Sequence, residues 1–210
     1  MAALAALVAV VFTGCAGSKP APGGEAPLLL QSPEGTSVSL DALRRDRAAT
    51  VLVFWSGSCP CARRYQERID GLLDRYPPDR VRVIGVSSNA GEDFAQTLRV
   101  ARERGVRVPI YRDEDGRLAR SVGARSTPTA VVLDEAGKVR FLGWIDNERL
   151  PGDPGREPWL DRAIQGVLDG RHSFAAKTPV YGCIITRSLI DGAPSSCPCS
   201  ESNGQKEKTP

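Results

Sequence analysis

The chain has 210 residues, 41% of them hydrophobic and 25% charged, with a formal net charge of +3. This leaves room for one domain of ordinary size with a real hydrophobic core, and the composition excludes a largely disordered chain or a membrane bundle. Arginines are scattered among acids rather than gathered on one face, which argues against a nucleic-acid surface.

Residues 1–12 are almost wholly apolar, too short to span a bilayer comfortably, and lead to Thr13-Gly14-Cys15, where small residues precede a cysteine. The segment resembles a bacterial lipoprotein signal, although no Lys or Arg precedes the apolar run. The resemblance implies cleavage before Cys15, lipid on its sulfur, and a membrane-anchored protein in the bacterial cell envelope, facing the periplasm or the exterior. Residues 16–27 are rich in Gly, Pro, Ala and Ser and predict a flexible leash. The expected organisation is a signal over 1–15, the leash over 16–27, a domain over 28–172 and a tail over 173–210.

Within the domain, Leu28-Leu29-Leu30, the turn Pro33-Glu34-Gly35 and the alternation Val38, Leu40 predict a short hairpin. Val51-Leu52-Val53-Phe54-Trp55 is a continuous apolar run, as expected of a central strand covered on both faces. A turn at Ser56-Gly57-Ser58 opens a helix with Tyr65, Ile69, Leu72, Leu73 and Tyr76 at helical spacing, stopped by Pro77-Pro78. Residues 81–86 give a second buried strand, which makes a βαβ unit with a parallel pair. An amphipathic helix over 92–104 ends at Gly105; a short segment over 108–111 and a small helix over 118–122 follow. Residues 130–133 and 139–144 form a hairpin, and a last helix begins after Pro158 and stops at Gly170. The order describes an α/β domain with a mixed central sheet flanked by helices.

The six cysteines are clustered: Cys15 alone, Cys59 with Cys61, Cys183 alone, and Cys197 with Cys199. Two copies of Cys-Pro-Cys point to chemistry rather than to structural thiols. Cys59 falls where a buried strand meets a helix start, so unpaired N–H groups and the positive end of the helix dipole favour a thiolate there. Arg63 and Arg64 in the next turn add positive potential, and a thiol more acidic than free cysteine is expected.

Residues 54–63, Phe-Trp-Ser-Gly-Ser-Cys-Pro-Cys-Ala-Arg, resemble the active-site stretch of the thioredoxin superfamily, and Ser126-Thr127-Pro128-Thr129 before a buried strand resembles its cis-proline loop. Gly143-Trp144-Ile145-Asp146 and Val180-Tyr181-Gly182-Cys183-Ile184 resemble features of a peroxiredoxin-like branch, in the redoxin (AhpC/TSA, peroxiredoxin-like) group. The resemblance implies a thioredoxin-like fold and a thiol–disulfide oxidoreductase acting on protein thiols and disulfides with a redox partner. Cys59, Cys61, Thr127 and Pro128 are then the catalytic residues, with a cis bond before Pro128 and the Thr127 backbone offered to a substrate polypeptide. No cofactor is called for.

The departures from the family pattern keep other readings open. One residue, not two, separates Cys59 from Cys61, which rotates the second cysteine by about 100° around the helix. A Cys59–Cys61 disulfide then requires Cys59 to stay outside the helix as its cap, with Pro60 at the first helical position. Cys183 is a candidate resolving thiol, with Cys197 and Cys199 as a relay. A peroxidase reading fits Ser56, three residues ahead of Cys59, but meets Leu52 where peroxiredoxins carry proline; Arg125 is the candidate to polarise a peroxide. A third reading has the two Cys-Pro-Cys motifs hold Cu(I) or Zn(II). The single histidine, His172, has no ligand partner in sequence and reads as a surface residue.

Overall fold

The computed structural model describes residues 26–148, 155–171, 177–179 and 181–186; Cys15, His172, Cys197 and Cys199 lie outside these. The chain enters through β1 (Leu29–Gln31) and β2 (Ser37–Ser39), an antiparallel hairpin. A five-residue helix that the sequence pattern does not reveal, α1 (Leu40–Arg44), follows directly, with the Ser39 side chain accepting the N–H of Ala42 as its cap.

The central unit is as read from sequence. Strand β3 (Ala49–Phe54) leads into α2 (Pro60–Arg75), which returns to β4 (Val81–Ser87) in parallel register, Ala49 opposite Val81 and Phe54 opposite Val86. Then come α3 (Phe94–Glu103), β5 (Ile110–Arg112) and α4 (Arg117–Val122). The helix expected over 92–104 starts later because Asp93 stays outside as its cap, accepting the N–H of Ala95. A two-residue strand β6 (Ser126–Thr127) precedes the hairpin of β7 (Thr129–Asp134) and β8 (Val139–Gly143), and α5 (Trp159–Leu168) closes the domain.

The seven main strands form one mixed sheet in the order β2-β1-β5-β4-β3-β7-β8. Parallel β5-β4-β3 and antiparallel β7-β8 place α2 directly after a strand buried on both sides, which is the thioredoxin-like arrangement. Alternation along β3 sends Val51 and Val53 to one face and Leu52 and Phe54 to the other. The first face packs Tyr65, Ile69 and Leu72 of α2 with Leu160 and Ile164 of α5. The second packs Leu40 and Leu43 with Leu118 and Ala119 of α4. A third cluster at the strand ends joins Trp55, Cys59, Cys61 and Ala62 to Ala101 and Ile110.

The segment after α5 belongs to the fold. Lys177 bridges to Leu142, the Trp144 N–H donates to Thr178 Oγ1 at 3.0 Å, and the Tyr181 ring lies 5.0 Å from that of Trp144. Strand β9 (Cys183–Ile184) then pairs antiparallel with β6, and Ile185 is buried in the second core cluster. No helix among the described residues is long and apolar enough to cross a membrane.

Candidate active site

The site is built where β3 runs out. Trp55, still held by its N–H to the Val86 carbonyl at 2.9 Å, is buried and donates its indole N–H to Gln66 Oε1 at 2.8 Å. The chain then turns through Ser56-Gly57-Ser58, and the Cys59 N–H donates to the Ser56 carbonyl at 3.3 Å. Cys59 is the N-cap of α2, with extended backbone, and Pro60 occupies the first turn, where its missing N–H costs nothing. The cap role expected from sequence is therefore the one found.

Cys59 is only 1% exposed. Its Sγ accepts the Ala62 N–H at 3.5 Å and donates to the Thr127 carbonyl at 3.1 Å. The first contact aims an N–H of the first helical turn at the sulfur. The second ties the sulfur to the loop ahead of Pro128, whose peptide bond with Thr127 is cis, as the resemblance implies. Arg63 is exposed on the first turn, and the Arg64 guanidinium lies 5.4 Å from the centre of the Tyr65 ring.

Cys61, fully buried, is disulfide-bonded, whereas Cys59 is a free thiol, so these two sulfurs are not joined to each other. The cap geometry that such a bond requires is present, with Cys59 as N-cap and Pro60 in the first turn, and Cys59 is nonetheless a free thiol. Cys183 comes to the site from the far end of the domain. In β9 it stands opposite Thr127, its carbonyl 3.5 Å from Thr127 Oγ1, and it packs on the cluster that holds Cys59. The backbone of Thr127, expected to face a substrate polypeptide, is thus already paired with the chain's own strand. Cys59, Thr127, Pro128 and Cys183 are brought together; Cys197 and Cys199 lie outside the described residues.

Beside Cys183 an open groove is lined by Ser56, Ser58, Pro60, Asn89 and Glu92. The Glu92 carboxylate accepts from Ser56 Oγ at 3.0 Å, Asn89 Nδ2 at 3.1 Å and Ser87 Oγ at 3.4 Å. The Ser56 hydroxyl that the peroxidase reading would aim at Cys59 is therefore directed to Glu92, Leu52 faces the second core cluster, and Arg125 is exposed. Among the described residues no three metal-ligating side chains converge.

Sequence reasoning passed over a buried ionic network one turn further along α2. Asp146, fully buried, accepts from Arg68 Nη1 at 2.8 Å, Arg156 Nε at 2.7 Å, the Tyr65 hydroxyl at 3.1 Å and the Glu148 N–H at 3.0 Å. Arg68 also pairs with Glu148, and Tyr65 donates to the Glu148 carbonyl. Burial, and then the charge and hydrogen bond of Asp146, hold the Tyr65 hydroxyl protonated well above the ordinary tyrosine range. The network ties α2, which carries Cys59 at its cap and Cys61 in its first turn, to the loop after β8.

The chain is 28% identical over 111 residues to the thiol-disulfide oxidoreductase ResA of Halalkalibacterium halodurans, an alignment covering 53% of this chain and 61% of that protein's length. It is 25% identical over 119 residues to the sporulation thiol-disulfide oxidoreductase A of Bacillus subtilis, covering 56% and 70%. A crystal structure of an uncharacterized conserved protein from Geobacillus kaustophilus superposes with a TM-score of 0.67 at 26% identity, over 78% of this chain and 89% of that one. The AhpC/TSA family model matches residues 18–142, and with a buried cysteine capping α2 under a cis-proline loop, the chain belongs to the AhpC/TSA family.

Proposed function

We propose that this protein is a thiol–disulfide oxidoreductase acting on protein disulfides, exported and held at the membrane by lipid on Cys15, with residues 16–27 as its leash. The observation that carries the reading is Cys59: a thiol at a helix N-cap, with its sulfur against the carbonyl of the residue ahead of a cis-proline. Relatives named for the same activity support it.

In the reducing direction, the Cys59 thiolate attacks one sulfur of a substrate disulfide. The substrate S–S bond breaks, one substrate thiolate leaves and takes a proton, and Cys59 is joined to the other sulfur. A second protein thiolate then attacks Cys59, forming an internal disulfide and releasing the second substrate thiol. Two electrons pass from the protein dithiol to the substrate disulfide; the reverse sequence oxidises a substrate dithiol, and a redox partner resets the protein. Cys183 is the resolving residue in this scheme, because its strand sets it opposite Thr127, whereas Cys61 is bonded to a cysteine other than Cys59.

The test traps the Cys61→Ser protein after one turnover with a model peptide disulfide and maps its linkages by mass spectrometry. A Cys59–Cys183 bridge is expected. A lasting mixed disulfide on Cys59 removes Cys183 from the mechanism, and no adduct on Cys59 at all overturns the exchange reading.

A further inference from the structure

The edge of β6 is filled by this chain's own backbone. Ser126 pairs with Ile184 and Thr127 with Cys183, antiparallel, directly above the buried Cys59 sulfur. The fit is closest at Gly182. A Cβ there would be driven into the Thr127 carbonyl, 2.7 Å from its carbon, and would stand 3.3 Å from the Pro128 nitrogen. Only glycine allows two backbones to approach in this way.

The strand is fastened on both sides of the site. Upstream, Thr178 and Tyr181 hold it to the end of β8 through Trp144. Downstream, the Ile185 N–H donates to the Arg125 carbonyl at 2.9 Å, and the Ala90 N–H donates to the Thr186 carbonyl at 2.8 Å. An extended segment with a cysteine, lying on a sheet edge over the nucleophile, has the geometry of a bound peptide substrate.

We propose that residues 182–184 are a resident peptide in the polypeptide-binding edge of this protein, which an incoming polypeptide must displace, and that the edge admits a cysteine whose preceding residue is glycine. The proposal rests on the thiol-exchange reading for its purpose, but binding tests it without redox chemistry. Because the resident strand is part of the same chain, it competes at a high effective concentration, and a free peptide meets a closed edge.

The probe is a fluorescent peptide with the sequence of residues 179–186 and serine in place of its cysteine, titrated by anisotropy against the full chain. Two variants release the strand by different routes: Gly182→Ala by collision with Thr127, and Ile185→Ala by loss of the buried anchor. Each is checked for a native circular dichroism spectrum, and either suffices if the other does not fold. The released variant is expected to bind the probe at least tenfold tighter than the wild type, and to bind a probe with alanine at the glycine position at least tenfold more weakly. Equal binding by wild type and variant, binding by neither, or no preference for glycine overturns the proposal. The same titrations in a Cys59→Ser background give the same affinities if the edge alone binds, so failure of the exchange chemistry is read separately.

Discussion

Replacing Asp146 with alanine tests whether the buried ionic network is what anchors α2. The carboxylate has no exposed surface and accepts four hydrogen bonds, two of them from guanidinium groups. Breaking a buried pair by removing one partner costs about 3–5 kcal/mol, because the remaining groups lose their compensation. Here the lower end applies. The Arg68 and Arg156 side chains are 30% and 40% exposed and can turn to water, and the Tyr65 hydroxyl keeps the Glu148 carbonyl. The expected loss is about 3 kcal/mol by urea denaturation, or about 6–12 °C in Tm for a domain of this size. Asp146→Asn, which keeps the shape and one acceptor oxygen, should fall between wild type and Asp146→Ala. A loss below about 1 kcal/mol for Asp146→Ala would refute the reasoning, since that is the value of an exposed pair.

Stability should decline as pH rises above about 10, where unfolded tyrosines ionise. Tyr65 and Tyr76 resist ionisation in the fold through burial first and then through Asp146 and Asp161, so the unfolded state gives up protons that the folded state retains; replacing both with Phe should flatten the decline in denaturation midpoint. On the acid side, Asp134 is held below its usual range even though burial pushes it up, because the Lys138 N–H and Arg140 outweigh that cost; its stabilisation is present above pH about 4 and is lost as pH falls through the lowered value. Asp134→Asn should therefore narrow the stability difference between pH 6 and pH 3. Cys59→Ser should reduce dithiothreitol-coupled insulin reduction to background, and unchanged turnover would move the nucleophile elsewhere. Cys15→Ser should shift the protein from the membrane to the soluble fraction of cells, and unchanged fractionation would remove the lipid from the account.

The parts of the fold legible in sequence are those set by local patterns. Residues 51–54 and 83–86 are runs without a polar side chain, buried on both sides, and α2 has its apolar spacing, its capping cysteine and a double proline to stop it. Cys59 was legible for the same reason: its position between strand and helix is local information. Helix α1 was not, because five residues are too few to show a helical period and its one signal, the Ser39 cap, follows directly on a hairpin. Asp146 draws its partners from 78 residues upstream and 10 downstream, and no spacing rule connects them. The pairing of Thr127 with Cys183 spans 56 residues, and a two-residue strand has no periodicity to read. Gly182 did carry a signal, a glycine directly ahead of a lone cysteine, but only the approach of its backbone to Thr127 gives that signal a meaning.

The segment that pairs with β6 also bears on how the molecule keeps to itself. Strand β8 is the outer strand of the main sheet, with Val139 38% exposed, and an outer strand offers unpaired N–H and C=O groups to any passing chain. Lys177 bridges to Leu142, and the Thr178 N–H donates to the Leu142 carbonyl at 3.2 Å, so part of that border is already taken. The opposite border is β2, three residues long and serine at both ends, which makes a poor template for strand addition. Cutting the chain before Lys177 would thus open the rim of β8 and the groove over Thr127 together, and the first consequence in a test tube would be self-association through strand pairing.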